Sequence, residues 1–258
     1  MKNFIIKQGG GLGDILFCLK IAKKLFEKYE CKITWPVFPS ILWIRDYIKI
    51  PYIEWVSYEQ YSYLNNYPYK TPVKLDDNLI LVPIACADLP NMSVMESKYV
   101  SIGIDFENWQ DSINIYRNKE QENSLYYDVL GLKDNEEYTY IHREYGTPDK
   151  QFSCGAIKSP FMNNIQTSGK VIEGFIDPKY TVFDWIKVIE NAKELHLVHT
   201  SLFYIIESLT NKLPEINLYN RGDRYSHWPL NFLRHTLRQK WNFVDYNVPP
   251  YIKLAKNN

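Results

Sequence analysis

The chain has 258 residues, with 30 basic and 30 acidic side chains, 45% hydrophobic content and 16% aromatic content. That much apolar material fills one large domain or two modest ones and excludes global disorder. A net charge of zero supplies no long-range field for nucleic acid, and no apolar run approaches the roughly 20 residues that span a bilayer.

The first residues, Met1–Lys7, turn polar too soon for a secretory signal and read as a buried strand. Phe4-Ile5-Ile6 leads into Gln8-Gly9-Gly10-Gly11-Leu12-Gly13-Asp14. Behind it, Ile15, Leu16, Leu19, Ala22, Leu25 and Phe26 recur at helical spacing with lysines between them. Strand, glycine loop and amphipathic helix open an α/β fold. A second strand is expected over Cys31–Val37, a short helix around Ser40–Ile48, and strands near Ile53–Val56 and Leu79–Ile84. Residues 57–78, rich in Tyr, Asn and Pro, show no period and read as a long loop. Residues 105–135 are expected to form helices bridging two halves.

A second α/β series starts near residue 138. Tyr138–Ile141 is strand-like and ends in His142-Arg143, and Lys170–Ile176 is a further strand. Thr181-Val182-Phe183-Asp184 has the pattern of a capping box, with Asp for Glu, opening a helix through Ala192. Leu195–Val198 is the next strand, Thr200-Ser201 caps a helix through Leu209, and Glu215–Tyr219 is the last strand. A final helix is expected within Leu230–Trp241, anchored by Trp228 and Trp241. The fold expected is α/β, with two Rossmann-like halves facing a central cleft. The halves are placed at residues 1–130 and 131–245, with a tail at 246–258.

Several motifs bear on chemistry. Gly10, Gly11, Leu12 and Gly13 form either a tight structural turn or a loop that lets a ligand approach a helix N-terminus. Read as a dinucleotide fingerprint from Gly9, the loop puts Asp14 where the third glycine should be, and its carboxylate would repel pyrophosphate. No Gly-Lys-Ser/Thr follows, so the P-loop pattern fails too. Asp14 is then a charge favoured by the helix dipole, or a general base at a strand's carboxyl edge. Arg143 can donate two hydrogen bonds to a phosphate. The Thr200-Ser201 turn is an ordinary cap or a diphosphate cradle. From Arg221 to Lys240 the chain carries five basic residues against one acid, a solvated face or a weak basic patch on charge alone. No D-x-D ends an apolar strand, no His or Cys spacing fits a metal, and no cofactor or metal is expected. The four cysteines, Cys18, Cys31, Cys86 and Cys154, form no C-x-x-C pair, which fits buried thiols in a reducing, cytoplasmic compartment.

Together these pieces resemble the GT-B glycosyltransferases, and most closely the ADP-heptose heptosyltransferase-like group. Gly11-Leu12-Gly13-Asp14 is similar to that group's G-x-G-D start, and the resemblance implies that Asp14 is the catalytic base. Tyr140-Ile141-His142-Arg143 resembles the strand and phosphate-contacting loop that open its nucleotide-binding domain. Thr181–Ala192, Leu195–Val198 and His199-Thr200-Ser201-Leu202 resemble its helix, strand and diphosphate-binding turn. Leu218–Asp223 resembles the strand and loop that follow, and the resemblance implies that Arg221 and Arg224 reach the donor phosphates. The family's D-T/S-G-x-x-H turn appears here without its Asp or its later His. Phe175, Ile176 and Glu207 are candidate nucleoside contacts. The expected activity is inverting, metal-independent transfer from a nucleoside-diphosphate sugar, UDP- or GDP-linked, to a glycan or other hydroxyl acceptor. The alternatives are a non-catalytic nucleotide-sugar or glycan-binding protein on the same scaffold and, third, a nucleotide-dependent oxidoreductase.

Overall fold

The computed structural model describes residues 2–8, 11–67, 71–84, 94–146, 157–174, 179–221 and 236–244. The first strand, β1 (Asn3–Lys7), is followed by α1 (Leu12–Tyr29), β2 (Lys32–Val37), a 3-10 helix (Pro39–Asp46) and β3 (Ile53–Ser57). A second 3-10 run (Tyr58–Asn66), β4 (Val73–Lys74) and β5 (Leu79–Pro83) complete a five-stranded sheet of order β3-β2-β1-β5-β4. All its pairings are parallel except β4 with β5. The segment read as a loop over 57–78 is therefore partly ordered. Ser57 accepts from the Glu59 N–H at its start, and Leu64 is buried against Ile5 and Leu81.

The connection holds α2 (Val94–Val100), a 3-10 turn (Trp109–Ser112), α3 (Lys119–Asn123) and a π-helical turn (Ser124–Val129). The second sheet then begins with β6 (Tyr138–His142), followed by the two-residue pair β7 (Glu144–Tyr145) and β8 (Ile157–Lys158), and by β9 (Lys170–Glu173). After α4 (Ile186–Asn191) come β10 (Glu194–Val198), α5 (Ser201–Ser208), β11 (Glu215–Tyr219) and β12 (Trp241–Val244). The sheet order is β12-β11-β10-β6-β9, parallel throughout. Parallel strands covered on both faces are buried at successive positions, which is why Phe4-Ile5-Ile6 is an unbroken apolar run and Leu195–Val198 is buried throughout, His196 included.

Two expectations change. The Asp184 carboxylate does accept the Thr181 N–H (2.7 Å) and hydroxyl (3.0 Å), but it closes a turn over 182–185 and regular helix starts only at Ile186. Most of the expected closing helix, within Leu230–Trp241, falls outside the described residues, and the chain re-enters them as an edge strand. Trp241–Val244 pairs with Ile216–Tyr219, while 222–235, with Trp228 and Arg224, lie outside the described residues. The tail 246–258 and residues Gly10, Cys86 and Cys154 also lie outside them.

The two sheets meet through helices. Phe17 of α1 packs against Tyr99 of α2, Trp109 and Tyr204 of α5, with ring centroids 5.0, 5.0 and 6.0 Å away. Gly13 sits directly under Tyr204: a Cβ there would lie 2.8 Å from Cε2 and 2.9 Å from Cδ2 of that ring. Elsewhere on the seam the Tyr47 hydroxyl donates to the Asp184 carboxylate at 2.9 and 3.0 Å, and Phe183 stacks on the Tyr47 ring. Burial pushes the Tyr47 phenol up to about 12, so it remains a donor at every working pH.

Gly13→Ala adds up to ~1 kcal/mol of helix propensity but forces a methyl into the Tyr204 ring, and overpacking of that kind costs about 1–3 kcal/mol. A net loss of stability in denaturant titration is expected, with partial recovery in Gly13→Ala/Tyr204→Leu. A more stable single variant would show that the contact places no limit on the packing.

Candidate active site

Helix α1 starts without a side-chain cap at Gly11; instead Asp14, in its first turn, folds back so that Oδ2 accepts the Gly11 N–H at 3.1 Å. Its other oxygen, Oδ1, is paired with the Lys98 ammonium of α2. Lys98 is 1% exposed and Asp14 is 30% exposed, so the pair is buried on the lysine side and open on the carboxylate side. Tyr204 stands near Asp14, and burial first, then the Asp14 charge, hold its phenol well above the ordinary range. Asp14 therefore lies where the first turns of α1 and α5 touch, fixed by contacts to both oxygens.

The α5 side of this junction is built from strand ends. Thr200 caps α5 in extended backbone, its hydroxyl accepting the Leu202 N–H at 3.3 Å, and Ser201 is the first helical residue. His199, just before the cap, is buried against Phe203 and Tyr204, and desolvation lowers its pKa to about 3. At the end of β6, His142 is likewise buried and held down to about 4. Both imidazoles are neutral, and among the described residues neither His199 Nε2 nor His142 Nδ1 has a hydrogen-bond partner. Gly174 follows β9 closely enough that a side chain there would overlap Tyr140 and His142. His196, inside β10, faces elsewhere, bonded to the Tyr219 hydroxyl at 2.8 Å and to Glu194.

Among the expected phosphate contacts, Thr200 and Ser201 sit at the α1–α5 junction. Arg143 is engaged within its own sheet: Nε reaches the Glu173 carboxylate at 3.2 and 3.3 Å and Nη1 donates to the Met162 carbonyl. Arg221, at the end of β11, lies over the Tyr145 ring at 4.5 Å and acts electrostatically on both His199 and Tyr204. It brings a cation to the α5 side of this corner, as Lys98 does to the α1 side. The expected nucleoside contact Glu207 is taken up by the fold instead. It is 0% exposed, and its carboxylate accepts from Gln110 Nε2 (3.1 Å), the N–H groups of Arg238 (2.8 Å) and Gln239 (3.1 Å), and Trp241 Nε1 (2.6 Å). Phe175 and Ile176, the other two, lie outside the described residues.

Lys98 is the residue the sequence analysis passed over. It falls in a helix of seven residues, too short to show a period, and its partner is 84 positions away. Among the described residues no three His, Cys, Asp or Glu side chains group as metal ligands, and no helix is long and apolar enough to cross a membrane.

No family model matches the sequence, and neither does any curated protein. Solved structures do. A glycosyl transferase family 9 protein from Veillonella parvula overlays with a TM-score of 0.55 at 10% identity, covering 94% of this chain and 86% of its own. The E. coli heptosyltransferase WaaC with ADP gives 0.40 at 13% identity, covering 98% and 94%. The iron-containing dodecameric glycosyltransferase TibC from enterotoxigenic E. coli gives 0.42 at 13% identity, and the match spans 62% of its length. The likeness to the Veillonella protein shows the fold: an α/β, GT-B-like chain with parallel sheets.

The two buried imidazoles set a pH dependence. Each takes up a proton near 6.5 when unfolded and only near 4 (His142) or 3 (His199) when folded. The unfolded chain therefore binds more protons below about 6.5, and stability falls with falling pH at up to ~1.4 kcal/mol per unit for each ring. Urea melts between pH 7 and 4.5 should show this slope, and His199→Leu should reduce it. A slope unchanged in that variant would mean His199 titrates alike in both states.

Proposed function

We propose that the protein is a glycosyltransferase that moves a sugar from a nucleoside-diphosphate donor to a hydroxyl of a glycan or similar acceptor, with inversion and without a metal ion. The observation that carries this reading is the junction at Gly13: a positioned carboxylate from one sheet and a helix N-terminus from the other meet within one contact. Open α/β sheets bind ligands outside the carboxyl ends of their strands, and both groups lie there.

In this reading the α5 N-terminus, with Thr200 and Ser201, receives the donor diphosphate, whose charge its free N–H groups and dipole favour. Arg221 supplies the nearest cation. Arg143 contributes less, because Glu173 already balances its charge. The acceptor oxygen attacks the anomeric carbon on the face opposite the diphosphate. Its bond to that carbon forms as the bond from carbon to phosphate oxygen breaks, and the electron pair leaves on the diphosphate. The acceptor proton passes to Asp14, whose two internal contacts hold it in place for this step. Lys98 fixes one oxygen and so acts as a positioning residue. Metal independence belongs to the same proposal, with helix N–H groups and Arg221 in the role a divalent cation fills elsewhere. So does a cytoplasmic setting, where the buried thiols of Cys18 and Cys31 stay reduced.

The test is a thermal-shift and turnover screen of UDP-, GDP-, ADP- and CMP-sugars, run with EDTA. One donor should stabilise the protein in EDTA, and Asp14→Asn should keep that binding while losing about 10²–10⁴ in turnover. Full turnover in Asp14→Asn, or donor binding that strictly requires manganese or magnesium, would overturn the reading.

The phosphate assignment has its own check by calorimetry. Arg221→Ala should weaken nucleoside-diphosphate binding by about 10- to 150-fold while leaving nucleoside binding alone. Arg143→Ala should have a smaller effect. The reverse order would return the phosphate to Arg143.

A further inference from the structure

Gln8 follows β1 directly and is 6% exposed. Among the described residues both ends of its carboxamide, Oε1 and Nε2, are buried without a hydrogen-bond partner; no other side chain there leaves two such atoms. Native folds rarely tolerate this, and a group left so calls for an explanation. Its position supplies one. Strands β1 and β2 run to one side of the sheet while β5 joins β1 on the other, so the carboxyl end of β1 is the topological switch point where such sheets take ligands.

The pleat fixes the face. Phe4 and Ile6 pack into the core beneath α1, whereas Ile5 packs on Leu64, and Lys7 donates to the Tyr67 carbonyl at 2.6 Å. Gln8 continues the row of Phe4 and Ile6. It therefore lies on the same side of the sheet as the first turn of α1, which carries Asp14.

We infer that the Gln8 carboxamide recognises a vicinal diol of the sugar acceptor, Oε1 accepting from one hydroxyl and Nε2 donating to its neighbour. A carboxamide offers one acceptor and one donor side by side, and adjacent hydroxyls, each able to give or take a hydrogen bond, satisfy both at once. An adenine edge could match the same pair, but the proposed phosphate-binding elements belong to the other sheet, while the first turn of α1, on Gln8's side of the first sheet, carries the Asp14 carboxylate that needs a hydroxyl. The amide is already out of water, so its bonds to the diol form without stripping a hydration shell. Such sites discriminate strongly against a ligand that lacks the polar group. Only the identification of the diol as the acceptor's rests on the glycosyl-transfer reading.

The experiment uses the full chain, with Gln8→Met as a near-isosteric apolar variant and Gln8→Leu as a second in case the first packs poorly. Melting temperature is measured without ligand. Binding is then measured by saturation-transfer NMR for methyl α-glucoside, methyl α-galactoside and methyl α-mannoside, with 2′,3′-dideoxyadenosine and 2′,3′-dideoxyuridine, which lack a vicinal diol, as the nucleobase arm. The parent should bind at least one glycoside, and a Gln8 variant should bind it at least about tenfold more weakly. The same variant should melt about 2–4 °C higher, because the unmet polar atoms are gone. Unchanged glycoside binding, a parent that binds no glycoside, a nucleoside losing affinity instead, or two variants that melt no higher than the parent would each overturn the inference. Asp14→Asn run alongside separates the two readings. If it keeps full turnover while Gln8→Met still loses the glycoside, the diol site stands and the reaction assigned to it falls.

Discussion

Everything at the candidate site depends on how closely α1 and α5 approach, and that distance is set by a missing methyl group. With hydrogen at position 13, the Tyr204 ring rests on the α1 backbone and brings the Ser201 Cα to 3.5 Å from where a Cβ would be. Two helix N-termini then share one corner, and their combined positive potential favours anions more than either alone. Asp14 stands in this field with Lys98 behind it. A glycine in a phosphate-type loop is usually explained by the ligand it admits. Here Gly13 admits another helix of the same chain, and Gly11, with nothing within 4 Å of its would-be side chain, is the more open of the two.

The periodic parts of this fold were legible in the sequence. The start of α1, the strands β1, β6, β10 and β11, and the Thr200 cap all follow from local pattern, because each buries one continuous apolar face. What escaped is non-local. Lys98 reads as one more lysine until Asp14 is seen beside it. Glu207 sits in an apolar helix and reads as a charge aimed at a ligand. Its partners Gln110 and Trp241 lie 97 and 34 residues away, and nothing at position 207 announces them. The strand β12 went unread, although Trp-Asn-Phe-Val is itself good strand sequence, because the expected helix was placed just before it and nothing local to the segment names its pairing with Ile216–Tyr219.

The second sheet shows a different economy. Its strand ends carry imidazoles that burial keeps uncharged, at His142 and His199, with Arg143 beside the first, balanced by Glu173, and Arg221 near the second. Neutral rings leave the charge of Arg221 undivided. A carboxylate at position 199 would oppose any anion at this corner. The histidine there does not, so the corner stays receptive to anions while remaining dry.

The Glu207 carboxylate also has a history in time. Three of its four donors belong to residues 238–241, some thirty positions later in the chain. During synthesis at about 5–20 residues per second, α5 emerges with a charged group that cannot yet be buried. For on the order of seconds, that carboxylate lacks three of its four donors, and it gains them only when residues 238–241 arrive with β12. The first sheet, whose strands all lie within residues 3–83, faces no such wait. The halves therefore mature in sequence, and the corner between α1 and α5 is assembled against a partner that has already folded.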